Sequence, residues 1–189
     1  METIAIPTPL EGLLVVEIKF MQDHRGFFIE NYHRRQFAAI GIGDDFKQDN
    51  HSRSSAGVLR GLHYQDMRAP MSKLVRCPRG RILDVAVDLR VGSPTFARWF
   101  SMELSEENMQ QLYVPTGFAH GFLTLSDVAE VQYKCGNFYT PEAEGAIAWN
   151  DPEIGIEWPI RNPVLSQRDS QAMSLRRYLE RPAFIYSKP

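Results

Sequence analysis

The sequence predicts a mainly β protein folded as a sandwich or barrel. Many short segments are dominated by β-branched and aromatic residues, and each is bounded by Gly, Pro, Asp or Ser. Helical periodicity is weak, and no helix is predicted between successive strands. Since parallel strands need long crossovers, a βαβ architecture is excluded, and many short strands favour a sandwich or barrel.

The predicted strands, in chain order, are 13–19, 27–32, 46–51, 58–64, 73–77, 81–89, 96–103, 111–114, 118–125 and 128–134. In 81–89, aliphatic residues at alternate positions share one face, and Asp84, Ala86 and Asp88 share the other. Helices are predicted only over 34–40 and 170–179. The absence of repeats and linkers indicates one domain, residues 1–189.

Composition excludes several classes of protein. Hydrophobic residues make up 43% and charged residues 23% of the chain, which is ordinary globular usage. A net charge of −2 gives no basic footprint for nucleic acid. There is no apolar run long enough for a membrane span, no secretory signal, and only two cysteines, Cys77 and Cys135. We therefore expect a soluble cytoplasmic protein with no nucleic-acid or membrane partner.

Two of the five histidines stand in distinctive contexts. His63 ends the run GVLRGLH, and His120 lies in PTGFAHG, a turn that leads into an apolar strand. Together these runs resemble the two signatures of the cupins, small β-barrels with a pocket at one mouth. Metal-binding cupins carry HxH and a later Glu, whereas this chain has His63-Tyr-Gln65 and lacks the Glu. Two histidines rarely hold a transition metal, so no metal site is predicted.

Without a metal, His63 is either an inert structural histidine or a general base. Its candidate companions have structural interpretations too. Tyr133 is an inward tyrosine that satisfies a buried partner or acts as an acid, and Lys73 is a snorkelling edge lysine or an electrostatic group. Asp169 is a helix cap or a partner of His63. The residues alone leave these alternatives open.

A collinear series of motifs from about residue 10 to residue 169 resembles the dTDP-4-dehydrorhamnose 3,5-epimerase family. The series comprises DHRGFFIE, QDNHSRSSAGVLRG, GVLRGLHYQ, KLVRCPRGRILDVAVDLRVGSPTF, YVPTGFAHGF, QYKCGNFY and EGAIAWNDPEIGIEWP. The resemblance implies a metal-free cupin-type β-barrel (a double-stranded β-helix or jelly roll) with an N-terminal strand extension and short C-terminal helices. It also implies a homodimer that acts without a cofactor on a dTDP-linked 4-keto-6-deoxyhexose, in the biosynthesis of activated L-rhamnose or related deoxysugars.

The resemblance also implies catalytic roles. His63 would be the base that removes protons next to the C4 ketone, and Asp169 would hold its other nitrogen. Tyr133 would deliver a proton from the opposite face, and Lys73 would meet the charge that develops on the C4 oxygen.

For the nucleotide and sugar, the resemblance implies binding by a larger set, namely Arg25, Glu30, Gln48, Asn50, Arg60, Lys73, His120, Glu144 and Arg168. Arg168 stands where the family more often has Lys, and Phe138 where it often has Tyr. Strict alternation places Arg60 on the face opposite His63. Arg60 could still serve the same pocket as His63 in one of three ways. A bulge at Gly61 could turn it, its side chain could reach around the strand edge, or it could contribute to a partner's site.

Three other functions are weighed against the 3,5-epimerase. A 3-epimerase would use the same base and acid, because a shift of the sugar by about 1 Å would abolish the second inversion. A metal-dependent cupin conflicts with the missing second His and Glu. A nucleotide-sugar sensor has no need of an acid placed opposite a base.

Overall fold

Two antiparallel sheets form the body of the protein. The structure is a computed structural model that describes residues 2–187. The six-stranded sheet contains, in spatial order, β1 (Thr3–Pro7), β2 (Leu14–Ile18), β10 (Gln111–Val114), β7 (Lys73–Arg79), β12 (Val128–Cys135) and β5 (Gln48–Ser55). The five-stranded sheet contains β13 (Glu144–Ala146), β6 (Leu59–Gln65), β11 (Phe118–Thr124), β8 (Arg81–Asp88) and β9 (Trp99–Ser105). The predicted β sandwich or barrel is confirmed.

The main core lies between the two sheets. Alternate residues of each strand point inward, so Val75 and Val131 of one sheet pack with Ile82, Ala86 and Phe122 of the other. Burying each large aliphatic side chain stabilises the fold by about 1.5–3 kcal/mol. The strand predicted over 111–114 has the observed bounds, and most of the others differ by a few residues at their ends. Strands β1, β3 (Met21–Asp23) and β13 are absent from the strands predicted by local pattern.

Three short α-helices flank the sheets in the part of the chain that the structure describes. Helix α1 (Arg34–Ala39) covers the outer face of the six-stranded sheet through Phe37. The single helix predicted from periodicity over 170–179 is wrong, whereas the short C-terminal helices implied by the resemblance are confirmed as α2 (Gln167–Ser170) and α3 (Leu175–Glu180). Ser166 and Ser174 each accept a hydrogen bond from the backbone N–H three residues later, and each therefore starts a separate helix. Within residues 2–187, no helix is long and apolar enough to cross a membrane.

A bulge in β6 changes which side chains face the cavity between the sheets. His63 pairs with His120, and Arg60 pairs with Phe122, so three steps along β6 match two steps along β11. His120 and Phe122 share one face of β11. Arg60 and His63 therefore share a face as well. Of the three explanations considered for Arg60, the bulge is the one observed.

A two-stranded hairpin stands apart from both sheets. Strands β3 (Met21–Asp23) and β4 (Gly26–Phe28) pair only with each other in the described part of the chain. The predicted strand over 27–32 is reduced to the few residues of β4. Met21, Phe27 and Phe28 are between 55% and 64% exposed, which is unusual for large apolar side chains so close together.

Candidate active site

A polar cleft opens between the inner faces of the two sheets. It consists of two adjoining cavities of about 430 and 530 Å³, which have His63, Lys73, Tyr133 and Arg168 in common. His63 comes from β6 in one sheet, whereas Lys73 and Tyr133 come from β7 and β12 in the other. The cleft is therefore lined from opposite sides by a candidate base and a candidate acid.

Most of the site residues predicted from the sequence line this cleft. They are Gln48, Asn50, Arg60, His63, Lys73, His120, Tyr133, Glu144, Arg168 and Asp169. Arg25 and Glu30 line neither cavity in the described part of the chain. Arg25 is exposed at the tip of the β3–β4 hairpin, where it pairs with Asp23 at 2.6 Å. The binding roles of these two residues stay predictions.

His63 is held by a carboxylate and a cation. Its Nε2 lies 2.5 Å from Oδ1 of Asp169, a residue that is almost completely buried. Asp169 sits in the first turn of α2, three residues after the cap Ser166, so it is not itself the cap. One guanidinium nitrogen of Arg168 lies 2.9 Å from Nε2 and 3.4 Å from Nδ1, which places it over the imidazole rather than in its plane.

These contacts favour a neutral imidazole. Burial lowers the pKa of His63 below its ordinary value of 6.5; the hydrogen bond to Asp169 opposes this, and the charges of Lys73 and Arg168 add to the lowering. Burial alone would raise the pKa of Asp169, but the hydrogen bonds with His63 and Ser166 hold it below its usual range. At neutral pH the pair is thus an imidazole that can accept a proton beside an ionised carboxylate.

The opposite wall carries two groups whose pKa values are shifted by burial. Burial lowers the pKa of Lys73, whose Nζ lies 3.5 Å from the backbone oxygen of His63. Burial raises the pKa of Tyr133, while hydrogen bonding with Asn50 and the charge of Arg60 oppose the rise. The Tyr133 hydroxyl therefore keeps its proton at neutral pH, as a group that donates a proton must.

Polar side chains at the edge of the cleft are anchored to one another. Arg60 donates from Nε to the hydroxyl of Ser54 at 3.0 Å, and Gln48 donates to Asn50 at 2.9 Å. Arg168 donates to Glu144 at 2.6 Å. These pairs hold guanidinium and amide groups around the two cavities of the cleft, an arrangement suited to phosphate and hydroxyl groups.

Sequence reasoning missed a second histidine–carboxylate pair. Nε2 of His120 lies 2.9 Å from Oδ1 of Asp84, and both side chains are buried. The alternation of 81–89 already placed Asp84 on one face with Ala86, and the structure shows that this face points into the core between the sheets. A carboxylate on a buried strand face is the signal that would have pointed to a partner for His120.

Within residues 2–187, no group of three or more His, Cys, Asp or Glu side chains is arranged to hold a metal ion.

Comparison with known proteins decides the family. Residues 7–177 match the family model described as dTDP-4-dehydrorhamnose 3,5-epimerase. The chain belongs to this family. It is 51% identical to the dTDP-4-dehydrorhamnose 3,5-epimerase of Shigella flexneri, over 87% of this chain and 91% of the relative. It is 44% identical to the enzyme of that name from Methanothermobacter thermautotrophicus, over 95% of this chain and 97% of the relative. Family membership makes the protein an isomerase that epimerises a dTDP-linked sugar.

Solved structures agree with this membership. The dTDP-6-deoxy-D-glucose-3,5-epimerase of Legionella pneumophila, in complex with dTDP-4-keto-L-rhamnose, superimposes with a TM-score of 0.93 at 43% identity, over 98% of this chain and 100% of that one. A 3'-monoepimerase from Streptomyces bikiniensis gives a TM-score of 0.88 at 35% identity, over 95% and 91%. The predicted cupin-type fold of the family is confirmed.

Proposed function

We propose that this protein inverts C3 and C5 of dTDP-4-dehydro-6-deoxyglucose without a cofactor, in dTDP-L-rhamnose or related deoxysugar biosynthesis. The observation that carries the proposal is the pairing of His63 with Asp169 on one wall of the cleft, with Lys73 and Tyr133 on the other. The names of the relatives and the sugar bound to the Legionella neighbour support the substrate class.

The chemistry follows from the C4 ketone. Neutral His63 removes the proton from the carbon next to the ketone, and the electron pair moves onto the C4 oxygen as an enolate. Lys73 stabilises this oxygen, since a cation aimed at a developing oxyanion is worth several kcal/mol in a dry site. Tyr133 returns a proton from the opposite face, which inverts the carbon. His63 then gives its proton to solvent and Tyr133 takes one up, so the same base and acid can act at the second carbon. Asp169 stabilises the imidazolium that forms on His63.

The diphosphate and nucleotide would be bound at the edge of the cleft. Because the chain carries a net charge of −2, local cations must supply the attraction. Arg60 and Arg168 supply positive charge, and Gln48, Asn50, His120 and Glu144 supply hydrogen bonds. Arg168 would exchange its contact with Glu144 for the ligand.

The second candidate is a 3-epimerase. The Streptomyces bikiniensis neighbour is a 3'-monoepimerase with the same fold, so the fold does not distinguish the two outcomes. The departures at Phe138 and Arg168 lie at or near the cleft and would affect how the sugar sits.

Deuterium uptake tests the proposal. The protein is incubated with dTDP-4-dehydro-6-deoxyglucose in D₂O, and NMR follows exchange at C3 and C5. We expect exchange and inversion at both carbons; exchange at C3 alone would establish the 3-epimerase. His63→Ala should abolish exchange while retaining dTDP binding, whereas His33→Ala, an exposed histidine outside the cleft, should leave exchange unchanged. Unchanged turnover in His63→Ala would contradict the mechanism.

We further propose that the chain, as one domain, forms a homodimer through the β3–β4 hairpin. A second copy would cover Met21, Phe27 and Phe28 and would bring Arg25 of one protomer to the cleft of the other. Sedimentation should show a dimer that Phe28→Asp converts to a monomer with weakened dTDP binding. A fully active monomer would contradict this interface.

A cytoplasmic location fits the two cysteines, which are free and buried.

A further inference from the structure

Gln65 uses its side-chain amide to hold two backbone segments together. It follows His63 by two positions and occupies the place where metal-binding cupins carry a second His. It is buried, and its Nε2 donates to the backbone oxygens of Ala69 at 2.8 Å and Phe138 at 3.2 Å. Its Oε1 accepts from the backbone N–H of Thr140 at 2.7 Å. Both amide protons are therefore committed to the backbone.

The segment held in this way, residues 136–140, forms one wall of the cleft. Tyr139 lines the same cavity as His63 and Lys73. Its backbone N–H donates to Gln48 at 3.0 Å, and its hydroxyl donates to Glu144 at 3.0 Å. The side chains of Phe138 and Tyr139 are more than half exposed, so core packing does not fix them. Their positions depend on the hydrogen bonds of their backbone and on the bond from the Tyr139 hydroxyl to Glu144.

We propose that Gln65 is a positioning residue that fixes this aromatic wall and so retains the singly inverted sugar for its second inversion. The inference rests on the proposed 3,5-epimerase function. One base serves two carbons, so the sugar must shift within the cleft between the two proton transfers without leaving it. A displacement of about 1 Å at the reacting atoms costs on the order of 100-fold in rate, so a wall that moves releases the sugar after one inversion.

Two variants of Gln65 test the proposal. Gln65→Met removes all three hydrogen bonds at similar volume, and Gln65→Glu removes the two donors but keeps an acceptor. NMR in D₂O measures the ratio of doubly to singly inverted product under single-turnover conditions. We expect this ratio to fall at least about tenfold while the first inversion changes much less. A merely structural role would lower both inversions together and leave the ratio unchanged.

Asp151→Asn provides the matched control. Asp151 is buried and accepts hydrogen bonds from the backbone N–H groups of Glu153 and Leu175, outside the cleft. The Asp151→Asn substitution should lower stability without altering the ratio of doubly to singly inverted product. If the Gln65 variants do not fold, Tyr139→Phe releases the same wall from Glu144 at an exposed position and should also lower the ratio.

The outcomes separate the two proposals. A normal ratio in every folded variant, with exchange at both carbons in the unaltered protein, would overturn the role of Gln65 alone. Exchange at C3 alone, or at neither carbon, in the unaltered protein would overturn the 3,5-epimerase function and this inference with it.

Discussion

Two histidine–aspartate pairs face each other across adjacent strands, and they differ in what surrounds them. His63 and His120 are directly opposite in the pairing of β6 with β11. The side chain of His63 is 20% exposed, and Asp169, its partner, comes from a short helix near the C-terminus. The side chain of His120 is only 6% exposed, and Asp84 comes from the interior strand β8.

The difference in surroundings indicates a catalytic role for His63–Asp169 and a structural role for His120–Asp84. His63 borders both cavities and lies beneath the guanidinium of Arg168, so its protonation responds to its surroundings. Asp84 is fully buried, and its Oδ2 has no hydrogen-bond partner among the described residues. Because a buried carboxylate needs its partner, the second pair contributes more to folding than to turnover.

Loss of each imidazole should produce the largest contrast, in activity. His63→Asn removes the general base and should lower kcat about 10²- to 10⁴-fold. His120→Asn should lower kcat/KM only about tenfold, the worth of roughly one hydrogen bond to the ligand. Deuterium exchange at C3, followed by NMR, measures both. Equal losses in the two variants would contradict the division of roles.

Stability should show the opposite order. His120→Leu leaves the Asp84 carboxylate buried and unpaired, so the free energy of unfolding should fall by about 3–5 kcal/mol. His63→Leu should cost less, because the Asp169 carboxylate keeps its hydrogen bond with the Ser166 side chain and has the Arg168 guanidinium 3.8 Å away. Urea unfolding followed by circular dichroism measures both. The prediction fails if His63→Leu is the more destabilised variant.

Loss of the cap of α2 should lower both stability and activity, because α2 carries Asp169, the partner of His63. Ser166→Ala and Ser174→Ala remove equivalent caps from α2 and α3, so each should cost about 1 kcal/mol in the free energy of unfolding. Only Ser166→Ala should also lower kcat, because its helix carries Asp169. An equal effect on kcat in both variants would show that general destabilisation, and not the position of Asp169, is responsible.

The pH dependence should give the smallest effect. His63 acts as a base only when neutral, and its pKa lies below 6.5, so kcat/KM should fall on the acid side with a midpoint below 6.5. Arg168→Gln removes a charge that opposes the imidazolium, and the midpoint should move upward. Arg60→Gln should weaken binding without moving the midpoint. A midpoint that moves downward in Arg168→Gln would contradict the sign of this interaction.

Local patterns predicted most of the β architecture, and ten of the twelve site residues that the family motifs implied line the cleft. Alternation failed at Arg60, because the bulge at Gly61 depends on a close approach to Gly121 in a strand distant in sequence. Periodicity merged α2 and α3, because Ser166 and Ser174 act through single cap bonds. The hydrogen bonds of Gln65 join Ala69 to Thr140, and only the folded chain brings these two segments together.

Because of the bulge in β6, the direction of the Arg60 guanidinium depends on the number of residues between Arg60 and His63. Gly61 and Gly121 meet there so closely that a Cβ on Gly61 would lie 2.5 Å from Cα of Gly121, and a Cβ on Gly121 would lie 2.7 Å from the backbone oxygen of Arg60. Both positions must therefore remain glycine together. Deleting one residue between Arg60 and His63 would keep every polar side chain and yet turn the guanidinium away from the ligand. Transplanting this site into another barrel would require the glycine pair as well as the polar groups.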